Sequence, residues 1–293
     1  MTTRPDVTSF HHKDTGTWTY VVADPATQAT AIIDPVLDYD WRAARTSTAT
    51  ADRLAQHCRE RALDVRWILE THAHADHLSS AQHLKRLIGG QVAIGRGICS
   101  VQRTFKHVFG LGDEFQPDGR QFDRLVDEND TLPLGELQVR VLATPGHTSD
   151  SVSFVVGDAV FIGDTLFMPD SGSARCDFPG GDATQLYRSV QKLYALPPAT
   201  RVFVCHDYSP GGREARCQTT IAEQRASNTH IRDGVEEAAY VKLRTDRDAT
   251  LDVPNLLIPS VQVNIRAGHL PPAEAAGVSY LRVPLNVVGR AKA

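Results

Sequence analysis

The sequence predicts an α/β fold, one large domain (1–226) with a C-terminal extension (227–293) packed on it. Three observations carry this. Short runs rich in β-branched and aromatic residues alternate with segments whose apolar residues recur at helical spacing. Loops bearing histidine or aspartate follow the ends of several of those runs, where a rigid sheet edge would present a site. No Gly/Ser-rich linker, tandem repeat or low-complexity tract divides the chain. With 293 residues, 41% of them hydrophobic, the chain has apolar material for a large core without disulfide staples.

Residues 17–22 and 29–33 read as sheet strands, the second stopped by Asp34-Pro35. Residues 51–63 have helical spacing, and the apolar run 65–69 is a strand that delivers a His-rich loop. A helix is expected over 75–88, ending at Gly89-Gly90, then a strand at 91–94. The strand 137–142 is broken by Thr144-Pro145-Gly146, so that His147 follows a strand end. Gly157-Asp158 between 151–156 and 159–162 is a two-residue hairpin signal, and Gly163-Asp164-Thr165 closes the second strand. Residues 182–196 read as a helix stopped by Pro197-Pro198, 201–205 as a buried strand ending at His206, and 214–226 as another helix. Past Asn228 a helix is expected at 234–243, with Pro254, Pro259, Pro271 and Pro272 punctuating the rest.

Charge and composition exclude several function classes. The net charge is −4, with acids and bases mixed along the chain, which argues against a nucleic-acid surface or a polybasic membrane face. A small-molecule partner is expected. The five cysteines (Cys58, Cys99, Cys176, Cys205, Cys217) are odd in number, scattered and free of any C-x-x-C, which suits a reducing compartment. The first ten residues carry no apolar h-region, and no apolar stretch is long enough to span a bilayer, so the expected location is cytoplasmic.

Thr71-His72-Ala73-His74-Ala75-Asp76-His77 places three imidazoles and a carboxylate within six consecutive positions directly after an apolar strand. A divalent cation needs neutral imidazoles and an anionic oxygen converging at about 2.0–2.2 Å, and a turn after a strand can aim alternate side chains inward. The spacing suits one metal or two adjacent ones. The bland alternative is a polar helix start with Asp76 as a cap. Taken singly, His147, Asp164 and His206 are turn, cap or strand-end residues; their weight comes from combination.

The ordered set His72-x-His74-x-Asp76-His77, His147, Asp164, His206 resembles the ligand signature of the metallo-β-lactamase superfamily. The resemblance implies an αββα sandwich, two facing mixed sheets flanked by helices, with the site at one edge. A cysteine in place of Asp76 would have pointed to the true β-lactamases. Because many reactions share this signature, local motifs must decide. Ser173-Ala174-Arg175-Cys176-Asp177-Phe178 resembles the Arg-x-Asp-Phe segment of persulfide dioxygenases, which oxidise glutathione persulfide to sulfite and glutathione. His206-Asp207-Tyr208, Glu223-Gln224-Arg225 with Asn228, and Val263-Asn264-Ile265-Arg266-Ala267-Gly268 are similar to further segments of that family.

That family implies one Fe(II) per chain held by His72, His147 and Asp164, a facial triad with open positions for persulfide and dioxygen. His74, Asp76, His77 and His206 then support the triad or hold a second metal. Arg175 is the first choice to clamp the substrate carboxylates, with Tyr208 and Arg266 as further substrate contacts; the alternative for Arg175 is an internal ion pair with Asp177. Cys176 stands where many members carry threonine, and Pro179-Gly180-Gly181 follows the motif, so another low-molecular-weight persulfide is an open alternative; packing is the favoured role for Cys176. The resemblance also suggests a homodimer built through the C-terminal extension. The rival reading is a glyoxalase II-like thioester hydrolase with two zinc ions on the same seven residues.

Overall fold

The structure, a computed structural model, describes residues 4–289; the first three residues of the N-terminal stretch considered above and the last four of the C-terminal extension lie outside the described residues. Strands β1 (Asp6–His12), β2 (Thr17–Ala23) and β3 (Ala29–Ile33) lead to a short pair, β4 (Val36–Asp40) and β5 (Arg45–Ser47). Helix α1 (Ala49–Glu60), β6 (Asp64–Leu69), β7 (Leu78–Ser79), α2 (Ala81–Ile88), β8 (Gln91–Gly95), α3 (Ile98–Val108) and β9 (Arg124–Val126) complete the first half. The second half runs β10 (Thr131–Leu134), β11 (Leu137–Ala143), β12 (Val152–Val156), β13 (Ala159–Phe161), α4 (Ala183–Tyr194), β14 (Arg201–Phe203), β15 (Gln218–Thr220) and α5 (Ile221–Ser227). Helices α6 (Glu237–Asp248) and α7 (Leu257–Asn264) follow.

Two six-stranded sheets, ordered β1-β2-β3-β6-β8-β9 and β10-β11-β12-β13-β14-β15, face each other, and β5-β4-β7 form a small third sheet. The strand sequences explain the layering. Along β3, Ile32 points to the outer core with Leu54, Leu84 and Phe105, while Ala31 and Ile33 point to the core between the sheets. Along β13, Val160 packs outward with Leu186, Val190 and Tyr240, while Ala159 and Phe161 face inward. A strand buried on both faces must be apolar at every position, which is why these runs show no polar alternation. The result is the expected αββα sandwich. Among the described residues, no helix is long and apolar enough to cross a membrane.

Several elements differ from the sequence expectation. The helix expected from residue 75 begins at Ala81, because Leu78 and Ser79 pair with Leu37 and Val36 of β4 instead of coiling. The helix expected over 214–226 is divided: Gln218–Thr220 pairs with β14, and α5 starts at a capping box made by Thr220 and Glu223. That T-x-x-E signal was present in the sequence and marks a helix start. The helix expected at 234–243 spans Glu237–Asp248, and α3, α7 and β1 arise where no element was expected. The hairpin at Gly157-Asp158 forms, with Val156 paired to Ala159.

Candidate metal centre

Each candidate ligand hangs from a strand end of the sandwich. β6 leads through Glu70 and Thr71 to His72; β11 leads to His147, β13 to Asp164 and β14 to His206. Two glycines allow the loops to approach. A Cβ on Gly146 would meet the backbone N of Leu186 at 2.3 Å, and one on Gly163, at φ +51°, would meet Thr71 Oγ1 at 2.6 Å. Larger residues would push the His147 and Asp164 loops off the site. The second sheet is pinned to the first beside His206, where Trp18 N donates to Cys205 O and Thr17 bridges His206.

The ligand atoms fall into two groups. One is His72, His147 and Asp164; the other is His74, Asp76, His77 and His206; within each, the ligand atoms lie within 4.8 Å of one another. In the triad, Asp164 Oδ2 is 3.8 Å from His72 Nε2 and 3.6 Å from His147 Nε2. Bonds of about 2.1 Å to a shared ion set ligand atoms roughly 3–3.5 Å apart, so a small inward movement would close the triad on one metal. The second nitrogens are held from behind: His72 Nδ1 lies 3.0 Å from Thr71 Oγ1, and His147 Nδ1 lies 2.7 Å from the carbonyl oxygen of Arg175. His72 Nε2 and Asp164 Oδ1 are buried without a hydrogen-bond partner among the described residues. Buried polar atoms are rarely left unpaired, and a metal ion answers both, so the residues fit one.

The quartet's histidines lie against carboxylates and a threonine, while His74 Nδ1, His77 Nε2 and both His206 nitrogens have no hydrogen-bond partner among the described residues. His74 Nε2 sits 3.0 Å from Asp34 Oδ1, and His206 Nε2 lies 2.9 Å from Asp76 Oδ2, a close ionic approach. His77 Nδ1 is 3.3 Å from Thr17 Oγ1. Asp164 Oδ1 stands 3.5 Å from His206 Nε2, so this aspartate touches both groups. Burial, reinforced by neighbouring imidazoles, drives His72 and His74 well below the usual histidine range and keeps them neutral. Burial would also lower His206, but Asp76 and Asp164 raise it to about 10. Burial raises Asp164, against the pull of His206 and His147. Opposed shifts of this kind, from titratable groups crowded into one buried pocket, are common at functional sites.

Three residues the sequence reading passed over position the ligand loops. Asp34, read there as a strand stop, accepts from Thr71 N at 2.7 Å and Thr71 Oγ1 at 2.9 Å as well as facing His74. Asp150 accepts from Ala73 N at 2.8 Å. Asn264 of α7 accepts from Ser79 N and donates to the carbonyls of His74 and His77, each at 2.8 Å. An acid closing a strand as apolar as Ala29–Ile33 has little access to water, and that was the available signal for Asp34.

The family model of the metallo-beta-lactamase superfamily matches residues 12–206, a span that contains all seven ligand residues. The chain belongs to this superfamily. It is 51% identical to a probable metallo-hydrolase of Burkholderia pseudomallei, over 96% of this chain and 99% of that one. It is 49% identical to a protein of Dictyostelium discoideum named glyoxylase B2, over 98% and 99%. It is also 30% identical to the mitochondrial persulfide dioxygenase ETHE1 of Homo sapiens, over 86% and 84%. Among solved structures, ETHE1 from Myxococcus xanthus matches with a TM-score of 0.71 and 30% identity, covering 90% of this chain and all of that one.

On this superfamily scaffold the expected substrate residues are placed as follows. Arg175 donates Nε and Nη2 to the Asp177 carboxylate at 2.6 and 2.8 Å, and Nη1 to Asp252 O at 2.7 Å. Its fork is thus engaged within the protein, and its carbonyl is what reaches His147. Arg266 is buried, donates to Gln262 O at 2.7 Å and lies 4.8 Å above the Phe115 ring, within the outer core. Tyr208 is exposed, its ring 6.2 Å from His206 and edge-on to Phe167 at 5.1 Å. Cys176 is buried in the helix-side core, with burial first and Asp248 second among the groups that push its thiol up to about 12, so it packs there as an un-ionised thiol. The strap 173–176 is braced from α6: Arg244 donates to Ser173 O at 3.0 Å, Cys176 N donates to Asp248 at 2.8 Å, and Arg244 and Asp248 pair with each other in the interior.

Proposed function

We propose that this chain is a mononuclear non-haem iron dioxygenase that oxidises a low-molecular-weight persulfide, with glutathione persulfide as the first substrate to test. The overall change balances as RSSH + O2 + H2O giving RSH and sulfite with two protons: the outer sulfur loses four electrons and dioxygen gains them. The observation that carries the reading is the division of the ligands. His72, His147 and Asp164 converge as one group whose histidines are backed by neutral oxygens, whereas His74 and His206 each have a carboxylate within 3.0 Å, Asp34 and Asp76; unpartnered buried nitrogens occur in both groups. Two histidines and one carboxylate are the donor set of non-haem iron oxygenases. Iron(II) held there supplies the redox chemistry and dioxygen activation.

The chain's own part is positional. Thr71 and the Arg175 carbonyl fix the rings of His72 and His147 so that each presents Nε2. Asp164, reaching both groups, holds the anionic oxygen at the boundary. Tyr208, beside His206 and Phe167, is a candidate for the wall of the substrate site.

A second reading has its own support. All seven residues of a two-metal hydrolase are present, and the relatives named probable metallo-hydrolase and glyoxylase B2 are about half identical to this chain. In that reading two metals activate a bridging hydroxide against a glutathione thioester. Metal analysis of protein purified without added metal, run beside oxygen uptake with fresh glutathione persulfide, separates the two. About one iron per chain with persulfide-dependent uptake is expected. About two zinc per chain, thioester cleavage and no uptake would overturn the dioxygenase.

A further inference from the structure

A groove of about 790 Å3 beside the ligand loop is lined by Asp76 and His77 of the quartet and by Trp41, Arg42 and Arg45 of the hairpin in the small third sheet. The hairpin carrying those three residues is specifically built. Asp40 Oδ1 accepts from Arg42 N at 2.9 Å and Ala43 N at 3.2 Å, Ala44 takes φ +48°, and Asp40 pairs with Arg45 across the strands. A non-glycine residue in the left-handed region is an uncommon feature of a turn, held here by the Asp40 cap. β4 pairs on its other side with β7, immediately after the ligand loop, so the hairpin is registered to the metal centre.

The side chains it presents have no protein function in view. Trp41 is 62% exposed, and the Arg42 guanidinium lies 5.0 Å from its ring centroid. Arg42 and Arg45, like Arg53 and Arg59, have no carboxylate within ion-pair distance among the described residues, unlike Arg96, Arg120, Arg175, Arg213 and Arg225. Asp14, Asp38 and Asp40 also line the groove; Asp38 is taken up by Thr50 and His12 and Asp40 by the turn, while Asp14 is exposed.

We propose that Trp41, Arg42 and Arg45 form the recognition site for the carboxylate-bearing tail of a peptidic thiol whose sulfur end reaches the metal centre. Planar guanidinium groups match carboxylates in two-point fashion, and an exposed indole offers an apolar plate for the peptide backbone. Asp14 would face the ammonium of the same zwitterionic tail. The inference rests on the reading above only for the reacting sulfur group; the tail site is the same for a thioester and for a persulfide.

The test is a binding cycle on the full chain. Reduced glutathione and its diethyl ester, which lacks both free carboxylates, are titrated calorimetrically into wild-type protein and into a variant carrying Arg42→Ala and Arg45→Ala. Wild type should bind glutathione roughly tenfold or more tighter than the ester, and the variant should lose that advantage while binding the ester unchanged. Trp41→Ala should weaken both ligands alike. Equal glutathione affinity in wild type and variant, or no saturable binding to wild type, overturns the proposal. If the binding cycle holds while persulfide-dependent oxygen uptake is absent, the dioxygenase reading falls and the tail site stands.

Discussion

The triad of His72, His147 and Asp164 and the quartet of His74, Asp76, His77 and His206 use the same residue types at neighbouring strand ends, yet they are wired differently. In the triad one nitrogen of each histidine is held by a neutral oxygen, Thr71 Oγ1 or Arg175 O. In the quartet the strongest contacts are between histidine and carboxylate, His74 to Asp34 and His206 to Asp76. A neutral partner orients an imidazole without supplying opposite charge, whereas a carboxylate partner also favours its protonated form; His74 Nδ1 and His77 Nε2 have no partner among the described residues, so the quartet too keeps atoms that an ion could take. Ligand type alone therefore does not count metals.

Removing the shared carboxylate should break that contrast most sharply. Asp164→Ala is expected to lower bound metal to a small fraction of the wild-type content and to abolish turnover, since two imidazoles alone hold a divalent ion weakly. Metal analysis after gel filtration reads it directly, and unchanged metal in the variant would remove Asp164 from the ligand set. Asp76→Asn should behave otherwise, keeping the metal while kcat/KM falls about ten- to hundredfold, the usual cost of disturbing a supporting carboxylate. Halving a measured two-metal content in Asp76→Asn would instead make the quartet a second metal site.

The next effect tests the braces. Asn264 joins the ligand loop to α7 by three hydrogen bonds, and Asn264→Leu leaves Ser79 N–H and the carbonyls of His74 and His77 without this partner. Unmade buried bonds of this kind cost about 1–3 kcal/mol each at most, so a total loss of about 2–4 kcal/mol in urea unfolding is expected. A loss under about 0.5 kcal/mol would mean that the loop stands without α7.

The residues behind these predictions differ in how legible they were. The seven candidate ligands stood out because a short apolar strand followed by histidine or aspartate repeats along the chain, and burial on both faces of the sheets leaves long apolar runs. Asp150 and the Arg244–Asp248 pair could not, since each acts through a contact across 70 or more positions and carries no local pattern; Asn264 lay in a segment that the resemblance named, but its role as a brace depends on a contact 190 positions away. Arg175 shows the limit of motif reading: the resemblance singled it out, but its immediate neighbour in space is Asp177, two positions away. Residues 75–80 were expected to be helical because their polar content suits a first turn; pairing of Leu78 and Ser79 with β4 overrides that preference.

The smallest effect separates the two braces by pH. Ser173 N donates to His230 Nδ1 at 3.0 Å at the start of the strap that reaches His147, and burial, with Arg244 and Arg247 adding to it, pushes His230 down to about 4. The unfolded chain takes up this proton near pH 6.5, but the folded one does not until about pH 4. Between those values the unfolded state binds more protons, so stability falls as pH drops through the window and is flat above it. His230 is only half-buried, so solvent screening leaves an effect of about 1–2 kcal/mol. His230→Asn keeps an acceptor for Ser173 N and has nothing to titrate, so its unfolding free energy should decline less than that of wild type between pH 6.5 and 4.5. The Asn264 brace contains no titratable group, and the variant there should shift stability equally at both pH values. Parallel acid limbs for wild type and His230→Asn would show that the strap holding His147 is no more acid-sensitive than the helix holding the quartet.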